Sequence, residues 1–236
     1  MFPLSSHIPL GSDLSIHYQS VIDIVGPLLT KERLEKIDKI VPYRNFETAV
    51  VLDGIYDRGN ISAVMRTAEG LGFTNFHVIE TQEKFKKANR VTKGADKWVE
   101  VQKWQTPTEA INKLKKDGYK IVVTTLEGSK PIEEVDFSGK TALVLGNEKE
   151  GVSQEMLDAA DERIIIPMVG FVQSFNISVA GALSLYHIKR DRIQRTGKNE
   201  DVTKEQQDIL KAYYYLRTQE SAEDILRETL NRRALV

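Results

Sequence analysis

The sequence predicts an α/β fold: a parallel sheet flanked by helices, with helical extensions at both ends. Short apolar, β-branched runs recur at Ala49–Leu52, Phe76–Ile79, Tyr119–Thr124, Thr141–Leu145 and Arg163–Ile166. They are too short for helices and too uniformly apolar for strands with one wet face. Stretches of helical periodicity separate them, which is the connection parallel strands require. Glycines stand where those stretches stop, at Gly72 and Gly118, as helix C-termini favour.

Residues 1–30 mix Pro3, Pro9, Gly11, Gly26 and Pro27 with short apolar runs such as Val21–Val25, and are expected to form an irregular N-terminal arm. In 31–45, Leu34, Ile37, Ile40 and Val41 recur at helical spacing among charged residues, and Pro42 helps to end the pattern; this is a short helical extension. The catalytic domain is expected over 46–192. Its first strand, 49–52, leads into a helix with the apolar stripe Ile61, Val64, Met65, Ala68 and Leu71. Further strands are expected at 76–79, 98–101, 119–124, 141–145 and 163–166, with a helix over 107–117. A long helix rich in small residues begins near Asn176 and runs past Arg190. Residues 193–236 read as a C-terminal helical extension with patterns at Ile209–Leu216 and Ala222–Leu230.

At 236 residues the chain suits one large domain with additions. Hydrophobic residues at 41% and charged residues at 28% are ordinary for a soluble protein. No apolar run approaches the roughly 20 residues of a membrane span. The start lacks a basic and then apolar secretory signal, and there is no cysteine; a cytoplasmic location is expected and thiol catalysis is excluded. The net charge of −1 gives no global attraction to phosphate, so contacts to nucleic acid must be local. Glu83–Lys97 holds six Lys/Arg against two acids, and Lys189–Lys198 five against one. Taken alone, each reads more readily as a solvated surface, a loop in the first case and a helix face in the second.

Familiar nucleotide motifs fail. Gly70-Leu-Gly72 ends a helix instead of opening one, and Asn75 stands where the third glycine of a dinucleotide fingerprint belongs. Gly146–Gly151 has phosphate-loop spacing after a strand, but Val152 replaces the lysine, and Glu148 and Glu150 would repel a triphosphate. His7, His17, His77 and His187 are scattered, so no metal site is expected.

Three segments place polar residues just past strand ends, where open α/β sheets bind ligands. They are Asp57–Ala68, Leu145–Gly151 and Ile166–Ala180. Taken singly, each has an ordinary structural reading: Asn60, Ser174 and Asn176 as helix caps, Arg66 as a surface charge, Gly146 and Gly151 as turn residues. Their order and separation are harder to account for in that way.

Together the three resemble motifs 1, 2 and 3 of the SPOUT superfamily, in its TrmH-like branch of RNA (guanosine-2′-O)-methyltransferases. The similarity runs from about Leu34 to Arg192 and includes Thr92–Trp98; the string Ile166–Ala180 is its most specific part. The resemblance implies a SPOUT-type parallel sheet with a C-terminal deep trefoil knot, S-adenosyl-L-methionine as cofactor, and a homodimer with its active site at the interface. By the same resemblance Thr124, Leu145, Gly146, Ile166, Met168 and Phe175 would line the cofactor pocket, Phe175 departing from the leucine common there. Asn60, Arg66, Glu148, Ser174 and Asn176 would surround the reacting centre. The family proposes Arg66 as a base. A guanidinium does not readily deprotonate, so Arg66 is read first as a phosphate clamp that stabilises alkoxide charge.

The implied substrate is RNA, and the two extensions resemble those that grip tRNA in the guanosine-18 branch of the family. Lys31, Arg33, Lys36, Lys39 and Arg44 in the first extension, Lys93 and Lys97 in the basic stretch, and Arg190, Arg192 and Arg195 near the second are the candidate RNA contacts. A ribosomal-RNA ribose methyltransferase and a non-catalytic RNA-binding protein of the same fold are the competing readings.

Overall fold

The computed structural model describes residues 2–11, 14–80 and 94–234. Lys93, Thr92 and most of the basic Glu83–Lys97 stretch lie outside the described residues. In chain order the elements are β1 (His7–Leu10), β2 (Leu14–His17), α1 (Tyr18–Val25), α2 (Lys31–Ile40), β3 (Asn45–Asp53), α3 (Arg58–Leu71), β4 (Phe73–Ile79), β5 (Glu100–Trp104), α4 (Pro107–Lys116), β6 (Lys120–Thr124), β7 (Lys130–Pro131), β8 (Thr141–Leu145), α5 (Gln154–Ala159), β9 (Glu162–Ile165), α6 (Ile177–Thr196), α7 (Lys204–Thr218) and α8 (Ala222–Ala234). The chain divides into two compact units, Asn45–Asp201 and a second made of Phe2–Arg44 with the residues from Val202 onward.

The first unit holds a seven-stranded sheet in the order β5-β4-β3-β8-β6-β9-β7, and every pairing in it is parallel. Both faces are covered, which explains the uniformly apolar strands. Val50, Leu52, Leu143 and Leu145 pack with Val64, Met65, Leu185 and Ile188 of α3 and α6. The alternate residues Ala49, Val51, Ala142 and Val144 pack with Ala110, Leu114 and Met156 of α4 and α5. The two faces thus follow the period-two alternation of a strand. Capping fixes the helices: the Asp57 carboxylate accepts from Gly59 N at 2.6 Å and opens α3, and Gly72, at φ 98°, closes it.

The β3–β4 register shifts between Asn45 and Ala49, and side chains supply partners to the backbone amides there. Phe46 and Glu47 donate to the half-buried Asp201 carboxylate, and Thr48 donates to Asn45 Oδ1 at 2.8 Å. Burial pushes the Asp201 carboxyl up to about 6. A second buried network crosses the sheet. Trp104 Nε1 donates to His77 Nδ1 (2.9 Å), and His77 Nε2 bonds Asn75 Oδ1 (3.0 Å). Asn75 Nδ2 donates to the Tyr119 hydroxyl (3.0 Å), which donates to the Phe46 carbonyl (2.6 Å).

Several expectations are corrected. The 1–30 arm is not irregular: β1 and β2 form an antiparallel hairpin, and α1 buries Val21 and Val25. Pro27 does not break the arm but lies in a short 3-10 turn, Gly26–Leu28, directly behind α1. The strand expected from Trp98 begins at Glu100, after a 3-10 turn over Ala95–Lys97. Two candidate RNA contacts are internal. Arg192, 3% exposed, donates to the carbonyls of Phe137, Ser138 and Gly139 and pairs with Glu47 at 2.7 Å. Arg44, also 3% exposed, lies over the Tyr214 ring within the second unit. Neither guanidinium faces the solvent where a phosphate would arrive.

Candidate active site

β3 and β8 lie side by side with Leu52 opposite Leu145, and β3 marks the point where the order of strands reverses. The loops after these two strands therefore emerge together at their carboxyl ends. Asn147 joins them: its buried amide donates to the Gly54 carbonyl at 2.7 Å, and its Oδ1 accepts from Lys149 N at 2.7 Å. Backbone bonds between Asn147 and Gly151, 2.8 and 2.9 Å, close the turn. Ser153 N donates to Asp53 Oδ2 at 2.7 Å, a second tie between the segments; burial raises the Asp53 carboxyl above the usual range. Gly146 sits where the chain crosses close to itself at the foot of this turn, since a Cβ there would fall 2.3 Å from Gly151 C and Val152 N. Sequence reasoning missed Asn147 and Asp53. The Gly-Asn-x-x-x-Gly spacing after a strand was the available signal for Asn147, because an asparagine side chain readily bonds the backbone two residues on.

This frame brings three of the five expected reacting-centre residues into contact. Asn60 Nδ2, from the first turn of α3, donates to Glu148 Oε1 at 2.6 Å. Asn176 Nδ2, at the cap of α6, donates to Asn60 Oδ1 at 3.3 Å. Asn176 is itself oriented, its Oδ1 accepting from Ser178 N at 2.8 Å and Ser178 Oγ at 2.5 Å. The amides thus form a directed chain that ends on the exposed Glu148 carboxylate. Ser174 precedes Asn176 by two residues on the exposed 169–176 segment. Arg66 is not in the cluster: it is exposed on α3, about 9 Å along the helix from Asn60 and about 120° around it.

Of the expected cofactor residues, Leu145 is fully buried and Thr124 Oγ1 donates to the Val144 carbonyl at 3.0 Å. Ile166 and Met168 are half-buried and Phe175 is exposed. None of the six lines the open concavity of about 400 Å³ formed by Gly128–Lys130 and Ala160–Arg163, whose wall carries a Lys130–Glu162 ion pair at 2.8 Å. Among the RNA candidates, Lys31, Lys36, Lys39, Lys97, Arg190 and Arg195 are exposed and Arg33 is half-buried. Arg195 bonds Asp191 at 2.7 Å.

The model of the SpoU rRNA methylase family matches residues 47–186, which span every loop of this cluster. The chain belongs to the SpoU methylase family. Among its relatives is the tRNA (guanosine(18)-2′-O)-methyltransferase of Borreliella burgdorferi, 39% identical over 168 residues, 71% of this chain and 77% of that protein. The enzyme of the same name from Aquifex aeolicus is 33% identical over 205 residues, 85% of this chain and 94% of that one. Solved SpoU structures share the fold. The A. aeolicus TrmH/SpoU tRNA modifying enzyme superposes with a TM-score of 0.71 at 33% identity, over 78% of this chain and 96% of that one. The SpoU methyltransferase AviRb of Streptomyces viridochromogenes, in complex with the cofactor AdoMet, gives 0.59 at 26% identity over 66% and 64%.

Proposed function

We propose that this chain methylates the ribose 2′-hydroxyl of guanosine 18 in tRNA, with S-adenosylmethionine as methyl donor. The carrying observation is the near end-to-end match to the A. aeolicus tRNA enzyme, 94% of that protein. The rRNA methyltransferase of Sinorhizobium meliloti is matched over only 59% of its length, so the similarity to the tRNA enzyme reaches further beyond the shared domain. A non-catalytic role is disfavoured by the oriented Asn60–Glu148–Asn176 chain, which contributes to no core. Helices long and apolar enough to cross a membrane do not occur among the described residues; with tRNA as substrate, the cytoplasm is the proposed location.

The site residues fit the cofactor. Ile166, Met168 and Phe175 would offer apolar surface to an adenine, and Gly146 its backbone groups. Thr124 and Leu145 would complete the pocket. When bound, the cofactor would supply an electrophilic methyl on a sulfonium and leave as a neutral thioether carrying the electron pair, while the hydroxyl proton would pass to Glu148. Glu148, held by Asn60, would accept that hydroxyl's hydrogen bond. Ser174 and Asn176 would orient the ribose. Arg66 would clamp the adjacent phosphate and stabilise developing alkoxide charge.

The site is proposed to be completed in a homodimer. Val179, Leu183 and Tyr186 make an exposed apolar stripe on α6, and Val169, Phe171 and Val172 ahead of that helix are exposed as well. A patch of this kind needs a cover, and a second copy would also bring an Arg66 toward the cluster. The segment from Leu145 to Asn176 is proposed to form a deep trefoil knot, on membership of the SpoU family alone. Asn45–Asp201 would be the methyltransferase domain and the second unit an RNA-gripping addition, through Lys31, Arg33, Lys36 and Lys39. Transfer of labelled methyl groups to total tRNA but not to rRNA is the expected result; label only in rRNA would overturn the tRNA assignment.

A further inference from the structure

Tyr56 is 48% exposed in the loop between β3 and α3, and every neighbour in that loop is fixed. The Gly54 carbonyl accepts from Asn147 at 2.7 Å, Ile55 is buried in the core, and Asp57 caps α3. Solitary exposed tyrosines are ordinary; the position of this one is not. It precedes Asn60 by four residues and stands in the loop that Asn147, the neighbour of Glu148, holds in place. The backbone that carries this exposed ring is thereby held beside the Asn60–Glu148–Asn176 cluster.

A ribose 2′-hydroxyl reaches in-line distance of a methyl group inside such a cluster most directly when its nucleotide is turned out of the stack of its own strand. The lost stacking is recovered where the protein offers an aromatic face. We infer that the Tyr56 ring is the platform on which the base of the methylated nucleotide stacks, a role that rests on the ribose-methylation reading. Other exposed groups fit less well. Leu126 has no π face, and Phe171 belongs to the exposed apolar residues ahead of the α6 stripe.

The test is a double-mutant cycle on RNA affinity, using wild type, Tyr56→Phe and Tyr56→Leu. Each is titrated with a tRNA transcript and with the same transcript made abasic at the nucleotide that the wild type methylates. Stacking predicts that Tyr56→Leu loses about tenfold in affinity for the intact transcript, less than twofold for the abasic one, and that Tyr56→Phe restores binding. Cofactor affinity, which general damage to the loop would lower, is expected to stay within twofold. Equal losses on both transcripts, no loss on either, or a Phe variant as weak as the Leu variant would overturn the inference. Failure of the wild type to methylate any tRNA would instead remove the function on which it rests.

Discussion

Arg66 is exposed on α3, outside the hydrogen-bonded chain formed by Asn60, Glu148 and Asn176. A clamp that recognises phosphate with a planar fork differs from a simple positive charge. Arg66→Ala is expected to lower kcat/KM by about a hundredfold to a thousandfold, as loss of a transition-state donor does, and Arg66→Lys is expected to recover little of it. Near-normal turnover by the lysine variant, measured by methyl transfer, would contradict the clamp. Gly146 is constrained by packing instead of chemistry. Its missing Cβ would fall 2.3 Å from backbone atoms of Gly151 and Val152, and backbone cannot rotate aside as a side chain can. Gly146→Ala should therefore destabilise the fold by about 3 kcal/mol, read as a shifted denaturant midpoint; an unchanged midpoint would show that the crossing is looser. At this scale the sequence was informative about residue types and blind to direction. Arg44 and Arg192 looked like phosphate contacts because charge is visible in a sequence, whereas the carbonyls of 137–139 that bury Arg192 come from a distant turn.

Among the elements, β4 and β5 show a pH dependence that no pattern in the chain announces. Burial pushes the His77 imidazole down to about 4, with Lys113 lowering it further and Asp117 opposing. The neutral ring accepts from Trp104 and bonds Asn75. Because the folded value lies below the unfolded one, the unfolded chain binds the proton first as pH falls. The contribution of neutral His77 is complete above about pH 6.5 and is lost between about 6.5 and 4. The stability advantage of wild type over His77→Gln, from denaturation curves at pH 7 and pH 4, should shrink by about 3 kcal/mol; a constant difference would place the imidazole in contact with water. The sheet itself was readable because strands buried on both faces leave uniformly apolar runs. β7, two residues long, and the β1–β2 hairpin were not. The first is too short to show a period, and the alternation of buried Ile8, Leu10 and Ile16 with exposed neighbours is interrupted by Pro9 and Gly11.

For the whole molecule, the ordered spacing of three loops past parallel strands was legible, and the loops after β3 and β8 do emerge together, tied by Asn147. Which face meets a second copy was not legible, because the α6 stripe of Val179, Leu183 and Tyr186 lies in a helix whose opposite side is also apolar. Placing a carboxylate there by Leu183→Glu should weaken the proposed dimer at least a hundredfold by sedimentation, since a symmetric interface would bury two unpaired charges. A wild type that sediments as a monomer would remove the composite site. The central claim, methyl transfer to one ribose of tRNA, is tested most directly by mapping. After incubating the purified protein with S-adenosylmethionine and unmodified tRNA, nuclease digestion and mass spectrometry should find one added methyl group, on the ribose of guanosine 18. A methyl on a base, on another nucleotide, or on no tRNA at all would contradict the account.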